Sequence, residues 1–440
     1  MSAAQDFQHQ FFDMLMESQY WPEEVMVAYQ RSQLEQLLRH ARATVPFYEN
    51  RLDVVFNRDG SIDWDRWPEI PILKRADVLK RRTDMLSLQP ISGHGPSGDV
   101  STSGSTGHPI TVRVTRLMVL AAEACRWRYH RWHELDWSKR HVSRLEPGYN
   151  RPDGFALGPW GPPWDESAKR GVSYNVSKST EIDGLLDLLT QLRPAYFQNG
   201  AKRTLPLVDR LRERGETLPL EAILAYGEGV GESDREAAMA GFGALILEPY
   251  STKESGAIAH QCPAGRSLHV NSEVVFVEIV NDDDSPTAVG QTGRVIVTPF
   301  ASTAQPIIRY DQGDRAVAGG KCSCGRCLPV IQSIVGRTTA IFIHPDGRTN
   351  IQMLPLDVKK LIGAGQLQLA QVGPNDYEVR YVRYDWGQPM DEEGFLNAFH
   401  ELYFMDSTVR LVEVPEIPLT AAGKFIEYVN EWGAAATIPS

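Results

Sequence analysis

Ser101-Thr102-Ser103-Gly104-Ser105-Thr106-Gly107-His108-Pro109 packs five hydroxyl side chains, two glycines and a closing proline into nine residues. Such a stretch can turn several O–H and N–H donors onto one anion. Its glycines let the backbone close on phosphate oxygens with no Cβ in the way. It is not the common nucleotide-triphosphate loop, because no Gly-Lys-Ser/Thr follows. Nor does it read as a solvated Ser/Gly linker. The order is T-S-G-S-T-G-x-P, and the β-like run Ile110-Thr111-Val112-Arg113-Val114 follows directly. The contacts expected to matter most are Ser103, Ser105 and Thr106, with Gly104 and Gly107 giving the backbone room.

The 440 residues around this loop suffice for a sizeable core and two or more domains. With 45 basic and 56 acidic residues the net charge is −11. No Lys/Arg cluster interrupts that balance, so a nucleic-acid groove is excluded. Residues 1–19 are polar and acidic, without the basic start and apolar run of a signal peptide. No apolar run reaches the length of a membrane span. The expectation is a cytoplasmic enzyme without a membrane partner, and a homodimer stays open.

Upstream, residues 7–44 have helical spacing, and the proline-bounded stretch 67–77 reads as extended. Residues 116–135 form an amphipathic helix with Leu117, Leu120, Ala121, Ala124, Trp127 and Arg128 on one face. Residues 145–166, rich in Gly, Pro and aromatics, read as a rigid loop that either lines an acid pocket or covers the sheet. From 181 to 247, helices at 181–193, 200–214 and 232–242 alternate with short strands, which means crossover units and a mostly parallel sheet. Ligands bind at the carboxyl ends of such strands. Two motifs fall there: Tyr226-Gly227-Glu228-Gly229 and Tyr250-Ser251-Thr252-Lys253-Glu254-Ser255-Gly256. After residue 270, alternating β-branched strands imply an antiparallel subdomain, and the last hundred residues read as a small α+β domain. The fold class is therefore α/β: a large N-terminal domain (1–336) with mixed and parallel sheets and a small C-terminal domain (337–440).

Several of these stretches resemble one family in order along the chain. The hydroxyl-rich loop resembles the phosphate loop of the adenylate-forming (acyl- and aryl-CoA synthetase) superfamily. Val45-Pro46-Phe47-Tyr48 and the block from Pro71 to Asp77 resemble the opening of its phenylacetate–CoA ligase branch. Tyr250 to Glu254 resembles the "YGxTE" block, with Ser251 in place of the glycine. Arg309-Tyr310-Asp311-Gln312-Gly313-Asp314 resembles "RYxxGD", and Gly336-Arg337 resembles the "GR" that opens the interdomain hinge. Pro418-Leu419-Thr420-Ala421-Ala422-Gly423-Lys424 resembles the terminal "P-x-T-x-x-G-K" block.

The resemblance implies an adenylate-forming fold with a mobile C-terminal domain, and a two-step reaction. A carboxylic acid, aryl or arylacetic, joins ATP to give acyl-AMP and pyrophosphate; the acyl group then passes to a thiol, that of CoA. It implies that Glu254 binds Mg2+ and that Asp314 accepts from the ribose hydroxyls. It places Gly227, Glu228, Tyr250, Ser251 and Arg337 around the nucleotide, and gives Lys424 the adenylation transition state. After Gly336-Arg337 the family's charged hinge residue is replaced by Thr338-Thr339-Ala340, which keeps an amine or a carrier protein open as acceptor. A non-catalytic nucleotide-binding relative is the other alternative.

The cysteines suggest a second site. Cys322-Ser-Cys324-Gly-Arg-Cys327 is a compact thiolate loop, with Cys262 and His269 about sixty residues earlier. Four such ligands suit tetrahedral zinc. The expectation is a structural Zn2+ held by four of Cys262, His269, Cys322, Cys324 and Cys327. Cys125, alone on a helix, reads as a buried hydrophobe.

Overall fold

Helix α1 (Ala3–Ser18) begins at a capping box, in which Ser2 Oγ accepts from Gln5 N–H and the Gln5 side chain accepts from Ser2 N–H. Helix α2 (Glu23–Thr44) follows Pro22, which lacks the N–H needed to continue α1 and so divides the 7–44 stretch in two. These helices open a computed structural model that describes residues 2–102, 109–145, 152–164, 170–227, 229–337, 342–346, 349–350, 354–418 and 425–432. The chain groups into two compact units. The first holds Met1–Leu135, Gly161–Glu166 and Pro249–Ile334; the second holds Asp136–Trp160, Ser167–Glu248 and Val335–Ser440.

The first unit is built on a seven-stranded sheet. Its spatial order is Val275–Val280, Thr292–Pro299, Tyr310–Ala318, Val330–Arg337, Leu268–Val270, Gly256–Gln261 and Pro249–Thr252. The antiparallel subdomain expected after residue 270 is one end of this sheet, with Val275–Val280 as its edge strand. Its core gathers Ile258, Val275, Val295, Val297 and Tyr310 with Ile110 and Val112. The stretch 67–77, expected as extended, is a 3-10 turn over Trp64–Glu69 followed by a short helix α3 (Arg75–Arg81). Only its middle is strand-like: Leu73 N–H donates to Arg309 O and Leu73 O accepts from Asp311 N–H. Helix α4 (Arg116–Trp132) starts where Thr115 Oγ1 accepts from Met118 N–H.

Arg128 shares the buried face of α4 and is fully buried itself. Its guanidinium donates to Glu273 Oε1 at 2.6 Å, to Asn271 Oδ1 at 2.9 Å and to the Leu15 carbonyl at 3.2 Å. Ser18 Oγ also donates to Glu273. One buried ion pair thus fastens α1, α4 and the 271–273 segment of the sheet.

The second unit carries a six-stranded sheet, ordered Ala156–Pro159, Val172–Ser177, His141–Leu145, Tyr196–Asn199, Ala222–Ala225 and Leu245–Leu247. Its last five strands run parallel. Helices α5 (Ile182–Leu192), α6 (Thr204–Glu213) and α7 (Glu232–Phe242) are its crossovers, and Leu185, Leu189, Leu205, Leu211 and Phe242 join its core. Within the 145–166 stretch, expected as loop, residues 156–159 form an antiparallel edge strand. The C-terminal residues add a four-stranded sheet, ordered Thr408–Glu413, Asp376–Arg383, Ala364–Gln371 and Tyr428–Asn430, with α8 (Leu356–Leu361) and α9 (Glu392–Leu402). Between that sheet and the 196–248 elements lies buried charge: Lys202 Nζ is 2.8 Å from Asp234 Oδ2 and 3.2 Å from Glu427 Oε2, and Lys359 also binds Glu427.

Arg128→Met leaves the Glu273 carboxylate buried without its counter-charge. The expected loss is about 3–5 kcal/mol in a urea titration, and Glu273→Leu added to it restores part of the stability. Glu427 gives a pH test. Burial raises its pKa, but the Lys202 and Lys359 ammoniums outweigh that and bring it down to about 2. A folded value below the unfolded one means stability that is full above pH ~4.5 and fades as the pH falls toward 2. Glu427→Gln is expected to cost on the order of 3 kcal/mol at pH 7 and to match the wild type near pH 2.

Candidate active site

Strand Tyr310–Ala318 alternates strictly between buried and half-buried positions, so Tyr310, Gln312, Asp314 and Ala316 face one side. Asp314 accepts a 2.8 Å hydrogen bond from the Tyr250 hydroxyl, although strand Pro249–Thr252 lies at the far edge of the sheet. Gln312, one position back on the same face, donates to Ser255 Oγ. Ser255 is positioned in turn by its N–H, which donates to Thr252 Oγ1 at 3.1 Å, and Gly256 continues the chain at φ +70°. Glu254 is therefore set between two anchored residues and is only 6% exposed, with Arg75 Nη1 4.0 Å from its carboxylate. Two pairs thus come from neighbouring segments: Tyr250 with Asp314, and Arg75 with Glu254. Such pairs can hold vicinal hydroxyls at Asp314 and a hard cation at Glu254.

The base of the hydroxyl-rich loop belongs to the same unit. Strands Ser97–Ser101 and Thr111–Thr115 pair as an antiparallel hairpin. Thr102 N–H donates to Ile110 O at 2.9 Å, and Thr102 Oγ1 accepts from Ile110 N–H at 3.0 Å, which pins both stems. Ser103, Gly104, Ser105, Thr106 and Gly107 lie outside the described residues, as do Glu228 and Lys424. Gly227 lies two residues past strand Ala222–Ala225 in the second unit, at φ +75°. Arg337 is the last residue of strand Val330–Arg337.

The chain shares its fold with solved CoA ligases. The 2-hydroxyisobutyryl-CoA ligase in its postadenylation state with 2-HIB-AMP superposes with a TM-score of 0.72, at 17% identity, over 95% of this chain and 94% of that one. The anthranilate CoA ligase bound to anthranoyl-AMP gives 0.52 at 13% identity, over 74% and 65%. No family model matches the sequence. A phenylacetate-coenzyme A ligase of Thermus thermophilus is 24% identical over 336 residues, 73% of this chain and 72% of that protein. The chain thus has the fold of these CoA ligases and is similar in sequence to a phenylacetate-coenzyme A ligase.

Relative to the sequence reading of this ligase-like chain, three residues were missed. Arg309 is 1% exposed with a positive φ of +48°. It donates to the carbonyls of Pro68 and Ile70 and to Glu278, so it ties the 64–70 turn to the sheet. Gln312 and Arg75 are the others. The period-two pattern through Asp314 pointed to Gln312; nothing local pointed to Arg75.

In the same unit Cys262, His269, Cys322 and Cys324 bring their ligand atoms within 4.8 Å of one another. Cys262 Sγ is 3.6 Å from Cys322 Sγ, and His269 Nε2 is 3.1 Å from Cys324 Sγ. Tetrahedral Zn–S bonds of ~2.3 Å place sulfurs ~3.8 Å apart, so the donor set fits zinc. His269 Nδ1 faces Leu328 O at 3.2 Å, which leaves Nε2 to turn inward as a ligand. Cys327 stands apart: it is exposed, and its N–H donates to Gln19 O at 2.8 Å. Gln19 Oε1 also accepts from Arg326 and Trp132, so this loop grips the end of α1.

The expected result of Tyr250→Phe, which leaves the Asp314 carboxylate without its phenolic donor, is a weaker nucleotide KM by roughly 10-fold with a smaller change in kcat. Steady-state kinetics varying ATP at saturating acid checks it.

Proposed function

We propose that this protein is an AMP-forming acid–thiol ligase. In the first step a carboxylate oxygen attacks the α-phosphorus of ATP; the P–O bond to the β-phosphate breaks, and acyl-AMP and pyrophosphate form. In the second, the sulfur of CoA attacks the acyl carbon and AMP leaves. The observation that carries this is the hydrogen bond from Tyr250 to Asp314, on the strand that leads into Glu254, in a chain similar to a phenylacetate-coenzyme A ligase.

Asp314 is assigned to the ribose hydroxyls, fixed in direction by Tyr250. The loop residues Ser103, Ser105 and Thr106, with Gly104 and Gly107, take the triphosphate on the hairpin pinned at Thr102. Glu254 is the residue that would hold Mg2+, which neutralises phosphate charge during transfer. Tyr250, Ser251, Gly227, Glu228 and Arg337 complete the nucleotide surround. Lys424 supplies a cation for the charge that builds in the adenylation transition state. This division of labour puts the functional boundary at residue 337, with 1–336 binding ATP and acid and 337–440 carrying the lysine. A net charge of −11 fits small-molecule partners rather than nucleic acid, and no helix among the described residues is long and apolar enough to cross a membrane. A cytoplasmic location is part of the same proposal.

The test is acid-dependent pyrophosphate release, with and without CoA. Release that needs both ATP and an acid, followed by a thioester on adding CoA, is expected; thioester absent but amide formed with an added amine would move the second step to the amide reading. Lys424→Ala should slow adenylation by on the order of 10²–10³-fold, and an unaffected rate would remove Lys424 from the first step. The Cys/His cluster is assigned to structural zinc. Protein purified without added metal should hold about one equivalent, and Cys324→Ser should lose it together with several degrees of Tm. Far less than one equivalent in the wild type would remove the metal from this reading.

A further inference from the structure

Arg144 lies one residue from the end of strand His141–Leu145, inside the six-stranded sheet of the second unit. The strands on either side, Val172–Ser177 and Tyr196–Asn199, run parallel to it and end beside it. The carboxyl ends of parallel strands are where such sheets bind ligands. Arg144 is only 3% exposed. Among the described residues its guanidinium donates to neutral acceptors alone: Asn199 Oδ1 at 3.4 Å and the carbonyls of Ser177, Lys178 and Thr180 at 3.2, 2.6 and 3.4 Å. Arg203, in the turn after strand Tyr196–Asn199, donates to the same Lys178 carbonyl at 3.3 Å. Two guanidiniums thus converge on one oxygen, and neither has a carboxylate in contact among the described residues.

Buried like charges lose hydration and repel one another, so such a pair calls for an anion. Burial, with Arg203 adding to it, pulls the Arg144 pKa down to about 10, against the influence of Tyr226 and Asp153. The Asp153 carboxylate is itself occupied by the Ser177 N–H and the Thr180 hydroxyl. Hydrogen-bonding atoms are left over as well. Arg144 Nε, Asn199 Nδ2 and the hydroxyl of Thr204, which follows Arg203, are buried without a partner among the described residues. Native structures rarely leave such atoms unfilled. A staple for the 177–180 turn would explain the carbonyl contacts of Arg144. It would explain neither the second guanidinium nor the unfilled atoms.

We propose that Arg144 and Arg203, with Asn199 and Thr204, form an oxyanion site that takes a terminal anionic group of a bound small molecule. A guanidinium edge meets the oxygens of phosphate or carboxylate two at a time. Two guanidiniums match a dianion, so a phosphate monoester binds more tightly here than a single carboxylate. The site itself stands on the second unit alone. Only the source of the anion rests on the acid–thiol ligase reading above. That reading offers two: the ribose phosphate monoester of CoA, and a second anionic group on the acid. The next strand of the sheet, Ala222–Ala225, leads into Tyr226 and Gly227, and Lys178 Nζ lies 4.5 Å from the Tyr226 ring. The oxyanion site therefore borders the motif assigned above to the nucleotide surround.

Two measurements on the full chain test the site and its occupant separately. The first needs no reaction: thermal unfolding in sodium phosphate, sodium acetate and sodium chloride at equal ionic strength, for the wild type, Arg203→Ala and Arg203→Lys. Phosphate is expected to raise the wild-type Tm by several degrees more than acetate or chloride. Arg203→Ala should lose most of that gain, and Arg203→Lys should keep part of it. An equal gain in the wild type and Arg203→Ala would overturn the site, because phosphate would then be acting elsewhere or as a general stabiliser. The second measurement is kcat/KM for CoA against dephospho-CoA, and for benzoate and hexanoate against terephthalate and adipate, in the wild type and Arg203→Ala. A preference of roughly 10-fold for CoA or for the diacids, abolished in Arg203→Ala, is expected, and which of the two appears names the source. Phosphate stabilisation that needs Arg203, with neither preference, would keep the site and overturn its place in the ligase reaction. The same stabilisation with no pyrophosphate released from any acid would keep the site and overturn acid activation.

Discussion

The pleat of one strand organises the first unit. Residues 310–318 alternate inward and outward across a bulge at 312–314, where Gly313 takes φ +72°, and the inward set is Tyr310, Gln312, Asp314 and Ala316. Tyr310 and Ala316 are packed in the core; Gln312 and Asp314, on the same face, are the polar pair between them. A register slip of one residue would bury Asp311 and Arg315 and turn Asp314 out. That slip is blocked on both sides. Arg294 binds Asp311 at 2.9 Å on the outer face, and Leu73 brackets Tyr310 through backbone bonds to Arg309 and Asp311. The position of the carboxylate in the site thus follows from sheet packing together with the local bulge, in which Gly313 N–H donates to Asp311 Oδ1 at 2.8 Å.

This explains how much of the molecule was legible in the sequence. Period-two and period-3.6 patterns report burial on one face, and burial decided the parallel sheet of the second unit, the helix at 232–242 and the antiparallel strands after 270. The sequence motifs were legible for the same reason, since Tyr250, Glu254 and Asp314 each sit at a strand or just past its end. The stretch at 67–77 was misread because Pro68 and Pro71 suggest extension. In the folded chain Arg309 donates to the carbonyls of Pro68 and Ile70, and a partner some 240 residues away decides the local conformation. No window of sequence contains that information.

Arg128 and Glu273 show a second long-range contact that local sequence does not reveal, although Arg128 does share the face read for its helix. An arginine at helical spacing among Leu120, Ala121 and Ala124 looks like the edge of an apolar face, with its head reaching water. Here the head is buried against a carboxylate 145 residues on, with Asn271, Ser18 and the Leu15 carbonyl closing the set. Burying both charges costs desolvation that an apolar pair would avoid, so the pair is better understood as a registry device than as a source of net stability. It fixes α1 against α4 and the sheet in one arrangement, because only that arrangement pairs the charges.

The same logic reaches the Cys/His cluster. Its four donors come from the strand pair around 262–269 and the 322–324 loop, and the loop continues into Arg326 and Cys327, which hold Gln19 just past α1. Helix α1 is therefore fastened at its carboxyl end twice, by a buried ion pair and by a loop that a metal would stiffen. Its opposite end carries Phe7 and Phe11, which stack at 5.5 Å. A rigid helix of sixteen residues transmits position along its length, since each backbone bond is made within the helix. Two features that look purely structural at one end of α1 thus set where two aromatic rings stand at the other.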